Sequence, residues 1–253
     1  MDSNRHVRVG GRQAARLAFA TGMIALGAFG LIHGDFAQVW RLAPSWVPGR
    51  HVLAYASAVL MLACGIGLMS ERTAAPASRV LVYYWALLVL LVDLPVVVEH
   101  PLVEGSWQPI AHLTMLLTAA WMLCTEDARA VGVARLLFGL ALIPVGLAHF
   151  VYLELTAPLV PAWLPFHTFW AYATGAVQIA AAIGVLFRIL PRLAAVMEAV
   201  LLGSFTFLVW PPLLLAAPAK ANLWSEITIS WALTAAAWVV ATRIPNGRRP
   251  TES

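Results

Sequence analysis

Eight long apolar runs divide the chain, and each is long enough to cross a membrane as a helix. They cover residues 14–33, 52–70, 79–98, 108–124, 132–153, 168–187, 193–215 and 222–241. About 20 apolar residues in a helix cross a hydrocarbon core about 30 Å thick. None of the runs alternates apolar and polar residues as barrel strands do. The pattern therefore predicts an all-α membrane protein with eight transmembrane helices.

The composition agrees with this class. Hydrophobic residues make up 61% of the chain and charged residues only 11%, whereas soluble domains carry about 25% charged residues. The net charge of +4 does not predict a nucleic-acid partner, because the basic residues lie in the connections between apolar runs. Basic residues in that position report membrane topology, and the predicted surrounding partner is the lipid bilayer.

The basic residues are divided unequally between the two sides of the predicted membrane. Three lie on one side: Arg41, Arg50 and Lys220. The other thirteen lie before run 1, after runs 2, 4 and 6, and after run 8. Because short cytoplasmic segments carry the excess of Lys and Arg, we expect a bacterial inner-membrane protein with both termini in the cytoplasm.

The chain also repeats itself at an offset of 116 or 117 residues. The matches include "GLIH" (30–33) with "GLAH" (146–149), "AYAS" (54–57) with "AYAT" (171–174), Pro95 with Pro211, and Trp107 with Trp224. An ordered series of this kind predicts a tandem repeat of a four-helix bundle, with units at 1–128 and 129–253. Four helices return the chain to the same side, so the two units would be parallel, with their symmetry axis along the membrane normal.

Histidines and carboxylates collect on the side opposite most of the arginines. The candidate ligand-binding residues there are His33, Arg50, His51, Asp93, His100, His112, His149 and His167. Histidine titrates near neutral pH and serves in proton transfer and ligand binding. We expect these side chains to form an outer-leaflet site between the repeats, with the equivalent residues His33 and His149 facing one cavity.

Asp93 is the most informative single residue of this set. It lies within the apolar stretch "LLVLLVDLPVVV", where a carboxylate near the bilayer centre costs about 2.5–3.5 kcal/mol. Because buried charges are usually paired, Arg50, His100 and His112 are its candidate partners. Glu198, on the arginine side, is expected to extend toward Arg192 and is assigned no role.

Two further features concern the connections and the remaining polar residues. The segments "RLAPSWVPGRH" and "TAPLVPAWLP" are too apolar for free loops, and we expect them to lie at the interface or to re-enter the membrane, buried by protein. Glu226 is interpreted as a carboxylate that complements a helix N-terminus. Outer Trp and Tyr residues are interpreted mainly as an interfacial belt, with a minority lining a pocket.

The repeated histidine phrases and the two apolar connections make the chain resemble the DoxX-like family of bacterial integral membrane proteins. The matching residues of the second half are Gly146, His149, Phe150, Val160, Pro161, Trp163, Leu164, Pro165, Tyr172, Thr174 and Gly175, and those of the first half are Gly30, His33, Trp46, Pro48, Tyr55 and Ser57. The resemblance implies two fused four-helix units. It also implies a role in quinone-linked oxidation of sulfur compounds or in redox homeostasis, often beside a partner subunit. The chain has Gln178 and Met61 where the family often has a glutamate.

Four functions remain open at the sequence level. The first is a redox-associated subunit that binds a quinone beside a redox partner; the second is haem or metal binding, for which no metal-ligand motif is present. The third is a small-molecule transporter and the fourth a non-catalytic scaffold. The sequence identifies no catalytic residue, no metal ligand and no definite cofactor, and leaves open whether the protein is an enzyme.

Overall fold

A computed structural model describes residues 2–34, 36 and 48–245, with the backbone alone for residues 2–9. Its regular structure in these ranges is helical throughout, which confirms the all-α prediction. Eight long helices occur in the described residues: α1 Asp2–His33, α2 Arg50–Met69, α3 Glu71–Glu99, α4 Trp107–Cys124, α5 Ala128–Val151, α6 His167–Leu186, α7 Pro191–Ala216 and α8 Ala221–Arg243.

Seven of these helices are long and apolar enough to cross a membrane, so the chain is a multi-pass helical membrane protein. The eighth predicted span, α4, is not among them. Its first turns carry Gln108 and His112, and it has 18 residues. It lies inside the bundle, packed against α3, α5 and α8. A helix covered by protein on several sides needs fewer apolar side chains than one that faces lipid.

The eight helices form a closed ring in which each packs against its neighbours in sequence and α8 returns to α1. Helices α4 and α8 also contact each other across the centre. The units predicted at 1–128 and 129–253 therefore share an extensive interior, because α4 contacts α5 and α8 contacts α1.

Two helices are interrupted by a wider turn at matching places. Val89–Asp93 in α3 and Phe205–Val209 in α7 have π-helical hydrogen bonding. Proline follows each turn, Pro95 in the first case and Pro211 in the second. Proline has no N–H for the bond to the carbonyl four residues earlier, which favours a locally wider helix. Such π turns are frequent at functional sites.

Ion pairs and a side-chain-to-backbone hydrogen bond stabilise the end of the bundle that we call the arginine end, where α1 and α5 begin. Arg16 contacts Glu71 at 3.6 Å, and Arg243 contacts Glu126 at 2.7 Å. The guanidinium of Arg243 also donates to the carbonyl of Thr125. Its hydrogen bond to Glu126 holds the pKa of that carboxyl below its usual value. These contacts join segments far apart in sequence.

The opposite end, where α1 and α5 finish, is the histidine end. Most of the first apolar connection, residues 37–47 with Trp46, lies outside the described residues, as does Asp35. The second connection contains a short helix, Leu153–Thr156, and a 3-10 turn, Ala157–Leu159. Its residues Thr156, Val160 and Leu164 line an internal cavity. One side of this connection therefore covers the cavity, while none of residues 152–166 is fully buried. Its position relative to the membrane stays a prediction.

Candidate functional site

A cavity of about 430 Å³ lies among α5, α6, α7 and α8 and is completed by α4. Its wall is mainly apolar, with Val145, Leu202 and Leu233 among the lining residues. The polar side chains in the wall are Gln108, His112, His149, Thr156, Thr174, Ser204, Glu226 and Ser230, and two indoles, Trp170 and Trp210, join them. An apolar cavity of this size with a few polar groups is typical of a small-molecule site.

His149 lies in the last turn of α5, where the helix reaches the cavity. Its Nδ1 atom is buried and has no hydrogen-bond partner among the described residues. Its ring lies 6.0 Å, centroid to centroid, from the ring of Phe205 in the π turn of α7. A buried ring nitrogen without a protein partner can bond to a ligand, which would offset its desolvation.

A close crossing of α5 and α6 holds His149 in this position. A Cβ atom built on Gly175 would lie 2.8 Å from the carbonyl oxygen of Gly146 and 2.9 Å from the Cβ of His149. Any larger side chain at Gly175 would push the two helices apart. The two glycines, which were part of the family resemblance, therefore have a packing role that fixes the histidine.

Helix α4 contributes Gln108 and His112 to the cavity from the first half of the chain. The amide nitrogen of Gln108 donates to the carbonyl of Pro144 in α5 at 2.7 Å and also to the Glu104 carboxylate. Burial raises the pKa of Glu104, while hydrogen bonds from Gln108 and Tyr152 oppose this shift. These bonds tie the start of α4 to α5, so the cavity wall combines both halves of the chain.

Hydroxyl groups connect the π turn of α7 to α8. The Thr206 hydroxyl lies 2.8 Å from the Ser230 hydroxyl and 3.0 Å from the Thr234 hydroxyl. The Thr234 hydroxyl in turn donates to the backbone carbonyl of Ser230 at 2.8 Å. Glu226, one turn before Ser230, lies in the cavity wall. Glu226 is the sixth residue of α8 and lies past the first turn, where a carboxylate gains little from the helix N-terminus, so that expectation is not confirmed.

Of the eight residues that the sequence suggested, the cavity wall includes His112 and His149. The expected pairing of His33 with His149 in one cavity is wrong for this cavity, because His33 is exposed and its ring packs on Phe29 at 4.3 Å. His51 donates from Nδ1 to the carbonyl of Gly34 at 3.2 Å. The end of α1 with His33 and the start of α2 with His51 are therefore a separate place from the end of α5 with His149.

The remaining predicted residues also lie apart from the cavity wall. Arg50 stands over the ring of Phe36 at 5.6 Å, and His100 lies 3.9 Å from Glu99 with both side chains exposed. His167 begins α6. The eight candidates therefore do not form a single site in this cavity. The shared side of the membrane was visible in the sequence, but the direction of each side chain around its helix was not.

Asp93 ends the π turn of α3 and is 1% exposed. Its Oδ2 atom has no hydrogen-bond partner in the described part of the chain. None of the expected partners, Arg50, His100 and His112, forms an ion pair with it there, so that prediction is wrong. The buried carboxyl group of Asp93 lies at the position in α3 that corresponds to Val209 in α7, which lines the cavity.

Glu198 in α7 was expected to extend toward Arg192, and this is also wrong. Its side chain is fully buried and faces Gln178 of α6, whose Nε2 atom donates to its Oε1 atom at 3.4 Å. Gln178 is fully buried as well. The sequence signal was Gln178 at the place where DoxX-like proteins often have a glutamate, but nothing in the sequence placed Glu198 opposite that residue.

Other cavity residues were missed because each is an ordinary residue in an apolar run. Gln108, Thr174 and Ser230 are examples. One signal was present: polar residues recur at intervals of four, as in Thr174 and Gln178 or Glu226 and Ser230. This interval places both members of a pair on the same helix face. Within the described residues, no group of three or more His, Cys, Asp or Glu side chains has the arrangement of a metal site.

A comparison with models of protein families finds a match in the second half of the chain. Residues 137–241 match the model of a family described as "Domain of unknown function (DUF8561)". The match runs from α5 to α8, the four helices that surround the cavity together with α4, and it covers less than half of the chain. No curated protein and no solved structure matches the chain.

Proposed function

We propose that the protein is a redox-associated membrane subunit of the DoxX-like kind. It binds a quinone-like ring compound in the cavity that helices α4 to α8 line. The observation that carries this proposal is a membrane-embedded apolar cavity of about 430 Å³ with two histidines, His112 and His149, in its wall. A quinone needs an apolar space for its ring and tail, and a few polar groups for its two carbonyl oxygens.

The polar groups of the wall suit this ligand. Nδ1 of His149 has no protein partner among the described residues and can bond to a ring oxygen. Gln108 and His112 approach from α4, and Trp170 adds a flat apolar surface. Protons that accompany quinone chemistry can pass through imidazole groups. Electrons would come from a partner subunit or its cofactor, since the carriers of such chemistry are cofactors.

The proposed architecture is a tandem parallel repeat of a four-helix bundle, with α4 as the eighth membrane span. Two observations support it: the π turns in α3 and α7 lie 116 residues apart, and α4 and α8, which are four helices apart, contact each other at the centre. On this arrangement the cavity belongs to the second unit, with α4 of the first unit as one wall.

The proposed location is the bacterial inner membrane, with the arginine end and both termini in the cytoplasm. The support is the uneven distribution of basic residues, thirteen against three, which follows the positive-inside rule. The cavity would then open toward the outer leaflet, where a partner subunit could reach it.

A small-molecule transporter is the second candidate, and one observation favours it. The arginine half of the second unit is not purely apolar, because Gln178 and Glu198 are buried there. Buried polar groups within membrane-spanning helices are typical of substrate and proton pathways. Haem or metal binding and a non-catalytic scaffold remain alternatives without a particular feature of the described residues in their favour.

The test begins with protein purified gently from native membranes. A reduced-minus-oxidised absorption spectrum and analysis of extracted lipids should show a bound quinone. Ala148→Phe, which fills the cavity, should remove it, whereas Ala176→Phe, on the exposed face of α6, should not. Haem bands in the visible region would overturn the proposal. Substrate flux in proteoliposomes without bound quinone would favour the transporter.

A further inference from the structure

Glu198 and Gln178 form a buried polar pair that the proposed quinone site does not use. Both side chains are fully buried between α6 and α7. The amide Nε2 of Gln178 donates to Oε1 of Glu198 at 3.4 Å. The two other oxygen atoms, Oε1 of Gln178 and Oε2 of Glu198, have no hydrogen-bond partner among the described residues. Two buried acceptors without a donor are rare, since buried polar groups are nearly always bonded.

One added hydrogen atom would satisfy both oxygens. If Glu198 is a neutral acid, its Oε2 carries an O–H group that can donate to Oε1 of Gln178. The amide N–H of Gln178 already donates in the opposite direction. A carboxylic acid and a primary amide then form two parallel hydrogen bonds, each side chain giving one donor and one acceptor. An ionised Glu198 has no donor to give and leaves the amide oxygen unsatisfied.

The surrounding charges do not favour the ionised form. The helices packed against α7 are α6 and α8. Their titratable or charged side chains, with those of α7 itself, are His167, Tyr172, Arg192, Glu226 and Arg243. None of these forms a hydrogen bond or ion pair with Glu198 in the described part of the chain. A carboxylate without a cation is costly at membrane depth, and the neutral acid avoids this cost.

We propose that Glu198 and Gln178 form an intramembrane proton-binding site, in which Glu198 holds the proton as a carboxylic acid and Gln178 completes its hydrogen bonds. The site lies beside the cavity. Thr174, one turn from Gln178, and Leu202, one turn from Glu198, both line the cavity wall. A proton released from Glu198 is therefore one helical turn from whatever occupies the cavity. The proposal holds whether the occupant is a quinone or another compound.

Infrared spectroscopy of the ligand-free protein in lipid nanodiscs tests the site directly. At neutral pH the wild-type protein should show the carbonyl band of a protonated carboxylic acid, and this band should shift on exchange into heavy water. Glu198→Gln should remove the contribution of one carboxyl group. Gln178→Leu should keep the band but move it to higher frequency, because the acid loses its amide partner.

Asp93→Asn is the matched control, because Asp93 is the other acid buried within a span in the described part of the chain. It should leave the Glu198 band in place. Size-exclusion chromatography and circular dichroism confirm folding of each variant, and titration of the wild-type band needs no variant at all. An unchanged carbonyl band in Glu198→Gln would overturn the proposal. A band in Gln178→Leu at the same frequency as in the wild-type protein would overturn it as well. Loss of quinone binding alone would not overturn the proton-binding site. Failure of this proposal can therefore be distinguished from failure of the proposed quinone function.

Discussion

Trp107 and Trp224, 117 residues apart, make the same hydrogen bond. The indole N–H of Trp107 donates to the carbonyl of Pro101 at 3.0 Å, and that of Trp224 donates to the carbonyl of Pro218 at 2.9 Å. Each bond closes the connection that leads into a central helix, α4 or α8. The same local geometry at positions 117 residues apart supports the proposed tandem repeat more directly than the sequence matches do.

If the two halves are equivalent, removal of either indole bond should have a similar cost. We expect Trp107→Phe and Trp224→Phe each to lower the free energy of unfolding by about 1 kcal/mol, the usual net value of one hydrogen bond. Reversible unfolding in mixed micelles, followed by circular dichroism, measures this. Trp163→Phe is the control, since Trp163 is also exposed but its indole N–H donates to no group among the described residues. A large loss in one variant and none in the other would contradict equivalence.

The crossing of α5 and α6 gives a second prediction. Gly175→Ala should lower the free energy of unfolding by about 1–3 kcal/mol, because the new methyl group overlaps the Gly146 carbonyl and the base of His149. Gly132→Ala in α5 is the matched control. A Cβ there meets nothing within 4 Å, so this variant should be neutral or slightly stabilising. Equal stability of both variants would show that the crossing can relax.

The cavity histidines give a third prediction, which assumes the proposed quinone site. His112→Ala and His149→Ala should each weaken binding of a short-chain quinone analogue about tenfold, equivalent to about 1.4 kcal/mol. Quenching of tryptophan fluorescence should report binding, since Trp170 and Trp210 line the cavity. His100→Ala, on an exposed side chain outside the wall, should bind as wild type does. Equal loss in all three variants would point to a general structural effect.

The helices were largely predictable from the sequence. The ends of α2, α4, α6 and α8 agree with the predicted runs within two residues, because apolar length is a direct consequence of bilayer thickness. The start of α3 was missed, since the polar segment that contains Arg72 and Pro76 continues the helix outside the apolar run. Membrane hydropathy reports where a helix is apolar, and helices extend beyond that zone.

The site was predicted only in part, for a different physical reason. His112 and His149 were identified because histidines are conspicuous in apolar runs. The partner of Glu198 and the unpaired burial of Asp93 among the described residues were not, since both depend on the rotation of each helix about its axis. In a uniformly apolar run that rotation leaves little trace in the sequence. Gln178 shows the limit: its position was noted, but its neighbour on α7 could be found only from the packing.

The ion pair at the arginine end gives a prediction on pH. The hydrogen bond from Arg243 lowers the pKa of Glu126, so the ionised carboxylate stabilises the fold. This contribution is complete above the ordinary pKa of 4.5 and disappears as the pH falls through the lowered value. Glu126→Gln should reduce stability by less than about 1 kcal/mol at neutral pH, since Glu126 is exposed. The difference from wild type should vanish in acid; a difference independent of pH would contradict it.

Asp93 and Val209 occupy equivalent places in the two π turns and permit an exchange experiment. Asp93→Val should raise the free energy of unfolding by about 1–3 kcal/mol, because it removes a buried carboxyl group whose Oδ2 has no partner among the described residues. Val209→Asp should lower it by about 2.5–3.5 kcal/mol, the cost of an acid at membrane depth. Unfolding in mixed micelles measures both. If Asp93→Val gains stability but loses function, the carboxyl group is retained for its chemistry. If it loses as much stability as Val209→Asp, Asp93 instead supports the fold.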